Sequence, residues 1–214
     1  MNELQKFKRN ESGADYVVGD IHGCYDILMN GLKSIGFNKT KDRLFSVGDL
    51  VDRGLDSFKC LSLPYEPWFF AVRGNHEILM HDALNGGDMA LWFMNGGTWA
   101  LEHDIGLRAL VNDVMDRLPL AIEIETESGS VGVIHADVTS GQWGEFNEQR
   151  DVWSRERIER PFGKSSGPVS GIDTVYVGHT ILNAIARLEN VVYLDTGAFH
   201  TGKLQIVKIS EAAA

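Results

Sequence analysis

Gly48-Asp49-Leu50-Val51-Asp52-Arg53-Gly54 sets two carboxylates and a guanidinium close together, directly after the apolar run Leu44-Phe45-Ser46-Val47. The pattern reads as a buried strand feeding a tight polar loop. Such a group is costly to hold at a strand end unless a ligand uses it. On that reading Asp49 binds metal, Asp52 holds a catalytic histidine and Arg53 holds a phosphate. The pattern recurs twice. Tyr16-Val17-Val18 runs into Gly19-Asp20-Ile21-His22-Gly23, and Trp68-Phe69-Phe70-Ala71-Val72 runs into Arg73-Gly74-Asn75-His76-Glu77. Two later apolar runs end in His135 and His179.

Asp20, His22, Asp49, Asn75, His135 and His179 are therefore ligand-type residues that follow strands expected to be neighbours. One strand-end histidine is more often simply hydrogen-bonded; the whole set points to metal. Mixed oxygen and imidazole ligands without thiolate suit Mn²⁺, Fe or Zn²⁺ better than Ca²⁺ or an iron–sulfur cluster. The set exceeds what one catalytic zinc takes. It suits two ions sharing a carboxylate, ~3.5–4 Å apart, which can deprotonate water and clamp a phosphoryl group.

Other hydrolytic chemistries are excluded. A cysteine-nucleophile phosphatase needs an arginine a short fixed distance after its thiol, but Asn30 and Glu66 hold those places. Gly163-Lys164-Ser165 lacks the upstream glycine of a phosphate-binding loop. His76-Glu77-Ile78-Leu79-Met80-His81 is one residue too long for a zincin helix, and no Gly-x-Ser-x-Gly elbow occurs. A metal-activated water without a covalent intermediate remains.

The positioning elements follow from periodicity. Ile27, Leu28, Leu32 and Ile35 recur at helical spacing and Gly36 stops them; residues 56–62 predict a short helix, and Ile78, Leu79 and Leu84 another. Strand–loop–helix units in series imply a parallel or mixed sheet, with functional loops at the carboxyl ends of its strands. Residues 88–118 read as helical, either a cap over one rim or a packed hairpin. After Pro119, strands are expected at 120–124, 131–136, 174–179, 191–195 and 204–207, with an irregular stretch at 137–172. Residues 1–14 are polar and expected to be peripheral, leaving one catalytic domain over 15–214. The tryptophans are assigned to the core, and Lys39, Lys41 and Arg43 to a solvated cluster.

The chain has 214 residues and a net charge of −10, which argues against a general nucleic-acid binder. Two cysteines, Cys24 and Cys60, without a CxxC, make no disulfide framework and fit a reducing, cytoplasmic setting. No apolar run approaches the ~20 residues of a membrane span, and Met1 to Asn10 lacks the apolar core of a signal peptide.

The three loop motifs resemble the signatures of the phosphoprotein phosphatase family of metallophosphoesterases, and His135 and His179 sit where that family places two later metal histidines. Cys24-Tyr25, Asn95-Gly96-Gly97, His135-Ala136-Asp137, Trp153-x-Arg155-Glu156-Arg157 and Asp195-Thr196-Gly197 are similar to the branch of the bacteriophage lambda phosphatase and its bacterial relatives. The resemblance implies an α/β (α+β) fold: a calcineurin-like β-sandwich of mixed sheets flanked by helices, in a single domain. It implies two divalent ions, Mn²⁺ ahead of Fe or Zn. Asp20, His22 and Asp49 would hold one, and Asp49, Asn75, His135 and His179 the other. His76 would be the general acid, Asp52 would orient it, and Arg53, Arg73 and Arg155 would bind phosphate. The implied activity is hydrolysis of phosphoserine and phosphothreonine, with phosphotyrosine a further candidate. The implied partners are phosphorylated proteins or peptides, without nucleic acid, membrane or regulatory subunit.

Two competing readings remain. A symmetrical dinucleoside tetraphosphatase begins with a similar first motif, but tends to carry alanine in place of Asp52 and aspartate in place of Glu77. A non-catalytic binding scaffold of the same fold would usually lack a metal ligand or the acid histidine, and all are present. Cys24 replaces a glutamine of the longer eukaryotic members, and His135-Ala136-Asp137 replaces their His-Gly-Gly type of loop. Substrate choice is expected to lie in residues 88–118 and 137–172.

Overall fold

Strands buried on both faces need apolar residues at successive positions, and the central runs supply them. In the computed structural model, which describes residues 3–103, 105–161 and 165–209, they form two sheets. In chain order the elements are β1 (Leu4–Phe7), β2 (Asp15–Val18), α1 (Tyr25–Ser34), β3 (Arg43–Ser46), α2 (Ser57–Cys60), β4 (Phe69–Ala71), α3 (Asn75–Leu84), α4 (Met89–Met94) and α5 (Leu107–Arg117). There follow β5 (Ala121–Thr126), β6 (Gly129–Ile134), α6 (Glu148–Asp151), β7 (Thr174–Val177), β8 (Ala186–Leu188), β9 (Val191–Tyr193), α7 (Ala198–Thr201) and β10 (Ile206–Lys208).

One sheet has the order β10-β2-β3-β4, the other β1-β5-β6-β7-β9-β8. Within the first, β2, β3 and β4 are parallel, with Val18, Ser46 and Ala71 in register. Within the second, β6, β7 and β9 are parallel, with Val133, Tyr176 and Val192 in register. Each register delivers its polar loops to one edge of its sheet. The sheets face each other across a core of Val17, Phe45, Val47 and Val72 on one side and Ile122, Val133, Tyr176 and Leu194 on the other. A second core lies beneath α1, α3 and α5, and a third lies between β7, β9 and the irregular stretch 137–172. This is the mixed, helix-flanked sandwich expected. No helix among the described residues is long and apolar enough to cross a membrane.

Residues 88–118 fold as α4, a 3₁₀ stretch Gly97–Glu102 and α5, and their buried residues Trp92, Val111, Val114 and Met115 share a core with Met80 of α3.

Two expectations need correction, and one strand is added. The N-terminal segment is not peripheral: β1 pairs in parallel with β5, Lys6 opposite Glu123, and Phe7 meets Phe45 and Phe70 edge-on at 5.2 and 4.6 Å. Lys6, Lys8 and Arg9 form exposed ion pairs with Glu123, Glu125 and Glu127. Such pairs contribute little, so the strand pairing and Phe7 hold this segment. Arg43 is not solvated either: its guanidinium grips Asp15 at 2.8 and 2.6 Å and lies over the rings of Phe7 and Phe45. Finally, β8 adds an unanticipated edge strand, antiparallel to β9. Phe7→Ala is expected to lower stability by about 2 kcal/mol in urea denaturation, whereas Lys6→Ala shifts it by less than about 0.5 kcal/mol.

Candidate metal centre

The loops after β2, β3, β4, β6 and β7 carry the candidate residues to one end of the sandwich. Tight turns impose left-handed backbone conformations on His22, Asp49, Asp52, Arg53 and His179, with φ of +43, +49, +70, +67 and +64°. Such conformations cost about 1–3 kcal/mol each for non-glycine residues and persist only where surroundings over-determine them. Glu77 is one such determinant. Its buried carboxylate accepts from the amides of Asp49, Leu50 and Gly74, each at 2.8 Å, so it ties the loop after β3 to the start of α3. Burial, then the nearby Asp49, raises its pKa to about 7. Position 74 must be glycine, because a Cβ there would lie 2.2 Å from Asp49 Oδ1.

Asp49 sits at the centre. Ligand atoms of His22, Asp49 and His76 lie within 4.8 Å of one another, as do those of Asp49, His135 and His179. Asp49 Oδ2 is 3.5 Å from His22 Nε2, and its Oδ1 is 3.4 Å from His135 Nε2. Hydrogen bonds fix the imidazole tautomers. His22 and His135 donate from Nδ1 to the Val51 and Val47 carbonyls, both at 2.8 Å. His179 donates from Nε2 to the Trp153 carbonyl at 3.1 Å. The opposite nitrogens therefore present lone pairs inward. His135 Nε2 and His179 Nδ1 face Asn75 Oδ1 at 2.9 and 3.0 Å. Three acceptors converging on one point repel each other, and a cation among them resolves that.

The electrostatics agree. Burial, only partly offset by Asp49, lowers the pKa of His22 to about 3; burial, aided by His135, does the same to His179, and burial also lowers His135. These rings are neutral at neutral pH, as ligation requires. Burial, then Asp195 and Asp49, raises the pKa of Asp20, and burial outweighs a Gly197 amide bond to raise Asp195 to about 6. Asp195 Oδ2 is buried without a hydrogen-bond partner. Crowded carboxylates with an orphaned oxygen fit a site for divalent cations. Asp20 belongs to neither trio; its oxygens accept from the His179 amide at 3.2 and 3.0 Å.

Asp52 is fully buried and accepts from His76 Nδ1 at 2.7 Å. Burial alone would lower the pKa of His76, but Asp49 and Asp52 outweigh it and raise it. Sequence reasoning missed two further partners of Asp52: the indole N–H groups of Trp92 and Trp99 donate to it at 3.1 and 2.8 Å. Arg53 spans two rings, donating to Nε2 of His22 and of His76 at 2.9 Å each, and lies over Phe199. Arg53, Asn75, Asn95, Arg155 and His179 line an open cavity of about 410 Å³. Arg157, by contrast, is paired inside the protein with Asp137 at 2.9 Å. Arg73 is buried, donates to Glu148 and the Leu118 carbonyl, and does not line the cavity. A larger cavity of about 850 Å³, bordered by Arg9, Asp42, Glu125 and Asp173, contains none of these residues.

Residues 16–182 match the family described as calcineurin-like phosphoesterase. A Salmonella typhimurium protein, serine/threonine-protein phosphatase 1, is 41% identical over 201 residues, 91% of this chain and 91% of its own. A symmetrical bis(5'-nucleosyl)-tetraphosphatase of Legionella pneumophila is 46% identical over only 77 residues, 34% of this chain and 27% of its own. A crystal structure provisionally described as a diadenosine tetraphosphatase superposes with a TM-score of 0.74 at 23% identity, covering 98% of this chain and 94% of that one. That similarity bears on the fold alone. The shared fold, the strand-end ligand cluster and the match over most of the chain lead to one assignment: the protein belongs to the calcineurin-like phosphoesterase family.

Proposed function

We propose that the chain is a metal-dependent protein phosphatase that hydrolyses phosphoserine and phosphothreonine monoesters. The observation that carries this reading is the Asp52–His76 pair, joined at 2.7 Å beside Asp49 and an arginine-lined cavity. Asp20, His22 and Asp49 would hold one divalent ion, and Asp49, Asn75, His135 and His179 a second, with Mn²⁺ the leading candidate. When bound, the ions supply Lewis acidity, which makes water nucleophilic near neutral pH and balances charge on the phosphoryl oxygens.

The remaining chemistry belongs to the chain's own side chains. Arg53 and Arg155 present planar donors suited to phosphoryl oxygens. Turning Arg53 toward a phosphoryl group frees the His76 Nε2 that it now occupies. Protonated His76, stabilised by Asp52, then gives its Nε2 proton to the departing serine or threonine oxygen. Arg73 joins the phosphate contacts only by leaving Glu148. The natural substrates on this reading are phosphorylated proteins or peptides, as the name of the Salmonella relative suggests. Tetraphosphatase activity is the second reading, supported by the local match to the Legionella enzyme.

A side-by-side assay with Mn²⁺ on phosphoserine peptide, phosphotyrosine peptide and diadenosine tetraphosphate tests the proposal. Fastest turnover is expected on phosphoserine; preference for the dinucleotide overturns the reading in favour of the second. His76→Asn is expected to lower kcat by ~10²–10⁴ with KM little changed; an unchanged kcat removes His76 from its role. Asp49→Ala, which removes the carboxylate between the two trios, is expected to reduce bound metal below two equivalents in elemental analysis. Retention of both ions contradicts the bridging role of Asp49.

A further inference from the structure

We propose that Trp92 and Trp99 are positioning residues for proton transfer, acting through Asp52 to hold the His76 ring in line with the leaving group. The inference rests on the phosphatase reading of the same site. Asp52 Oδ1 accepts from Trp99 Nε1 at 2.8 Å and from Trp92 Nε1 at 3.1 Å, while Oδ2 accepts from Trp92 Nε1 at 3.1 Å and from His76 Nδ1 at 2.7 Å. The carboxylate is thus fixed at both oxygens, and the direction left for His76 is set by the two indoles.

The backbone of Asp52, at φ +70°, is held by its amide donating to Ser57 Oγ at 2.9 Å and its carbonyl accepting from Gly54 at 2.7 Å. Those bonds fix the turn; the orientation of the carboxylate is left to the groups that donate to its oxygens. The chemical type of the clamp also matters. An indole donates a proton without carrying charge, so it orients the carboxylate yet leaves its negative charge to stabilise imidazolium. A lysine or arginine in the same place would cancel that charge. The guanidinium nearest in sequence, Arg53, is directed instead to the rings of His22 and His76.

The local sequence is arranged around the two rings. Trp92 is fully buried and Trp99 half-buried, and their planes meet at 88° with centroids 6.0 Å apart. The Trp92 indole lies against Gly97, where a Cβ would come within 2.4 Å of Nε1. A buried indole N–H requires an acceptor, and one backbone carbonyl would satisfy it. Two indoles converging on the one carboxylate that supports His76 serve the proton transfer as well as the packing.

Leaving-group dependence separates that role from a structural one. A phosphoserine peptide needs its leaving oxygen protonated; 2,4-dinitrophenyl phosphate does not. Trp99→Phe, which keeps an aromatic ring and removes the donor, is expected to lower kcat on phosphoserine peptide by about tenfold to a hundredfold. Turnover of dinitrophenyl phosphate, KM, metal content and melting temperature are expected to hold. In a His76→Asn background the same substitution is expected to add less than about twofold. Trp92→Phe repeats the test from the other donor. In ¹⁵N-labelled protein, Asp52→Asn is expected to move both indole N–H resonances upfield. Equal losses on the two substrates, a further loss in the His76→Asn background, or unmoved indole resonances each overturn the positioning role. Wild-type protein inactive on both substrates overturns the phosphatase reading itself and the positioning role with it.

Discussion

Glu77 accepts amide protons from Asp49, Leu50 and Gly74, and the geometry of the whole site descends from those three bonds. A buried carboxylate satisfied only by backbone amides is an unusually directional tie. It holds the loop after β3 against the first turn of α3, so Asp49 from one and Asn75 and His76 from the other stay in contact. His76 N in turn donates to Asp49 Oδ1 at 3.0 Å, closing the arrangement. The tie grips the left-handed turn at Asp49, while Ser57 Oγ and the Gly96 carbonyl hold the amides of the left-handed Asp52 and Arg53. Their conformational expense is carried by a sandwich whose central strands β3, β7 and β9 are almost wholly buried.

Charge is organised around the same point. The imidazoles of His22, His135 and His179 are kept neutral by burial and turned inward by carbonyl acceptors behind them. Two of those acceptors, Val51 and Val47, lie in or just before the polar loop after β3. One short stretch therefore supplies the Asp49 carboxylate and also orients two of the rings that surround it. Arg53 lies across the front of this assembly and bonds to two rings, and Arg155 lines the same cavity.

Much of this was legible because ligands, turn residues and the preceding apolar strand are contiguous. Asp20, His22, Asp49, Asn75, His135 and His179 could be read as a set from five strand ends, and the parallel registers explain why they converge. What escaped depends on partners distant in sequence. Trp92 and Trp99 looked like core because their acceptor, Asp52, is 40 and 47 residues away. Arg73 reads as a phosphate ligand from its loop, yet Glu148, 75 residues on, holds its guanidinium. Phe7 and Lys6 form too short an alternation to reveal a strand, since β5 lies more than a hundred residues downstream. Arg43 looked solvated because its partner, Asp15, belongs to the neighbouring strand.

The described residues of 137–172 have little regular structure, yet they reach the site at separate points: the Trp153 carbonyl behind His179, Arg155 on the cavity wall and Glu148 on Arg73. Their own fold is stabilised by Trp143, Val138 and Val169 against the far face of the six-stranded sheet. Cavity wall and ligand cluster thus share this stretch as a support, although it packs on the opposite face of the six-stranded sheet from the core between the sheets.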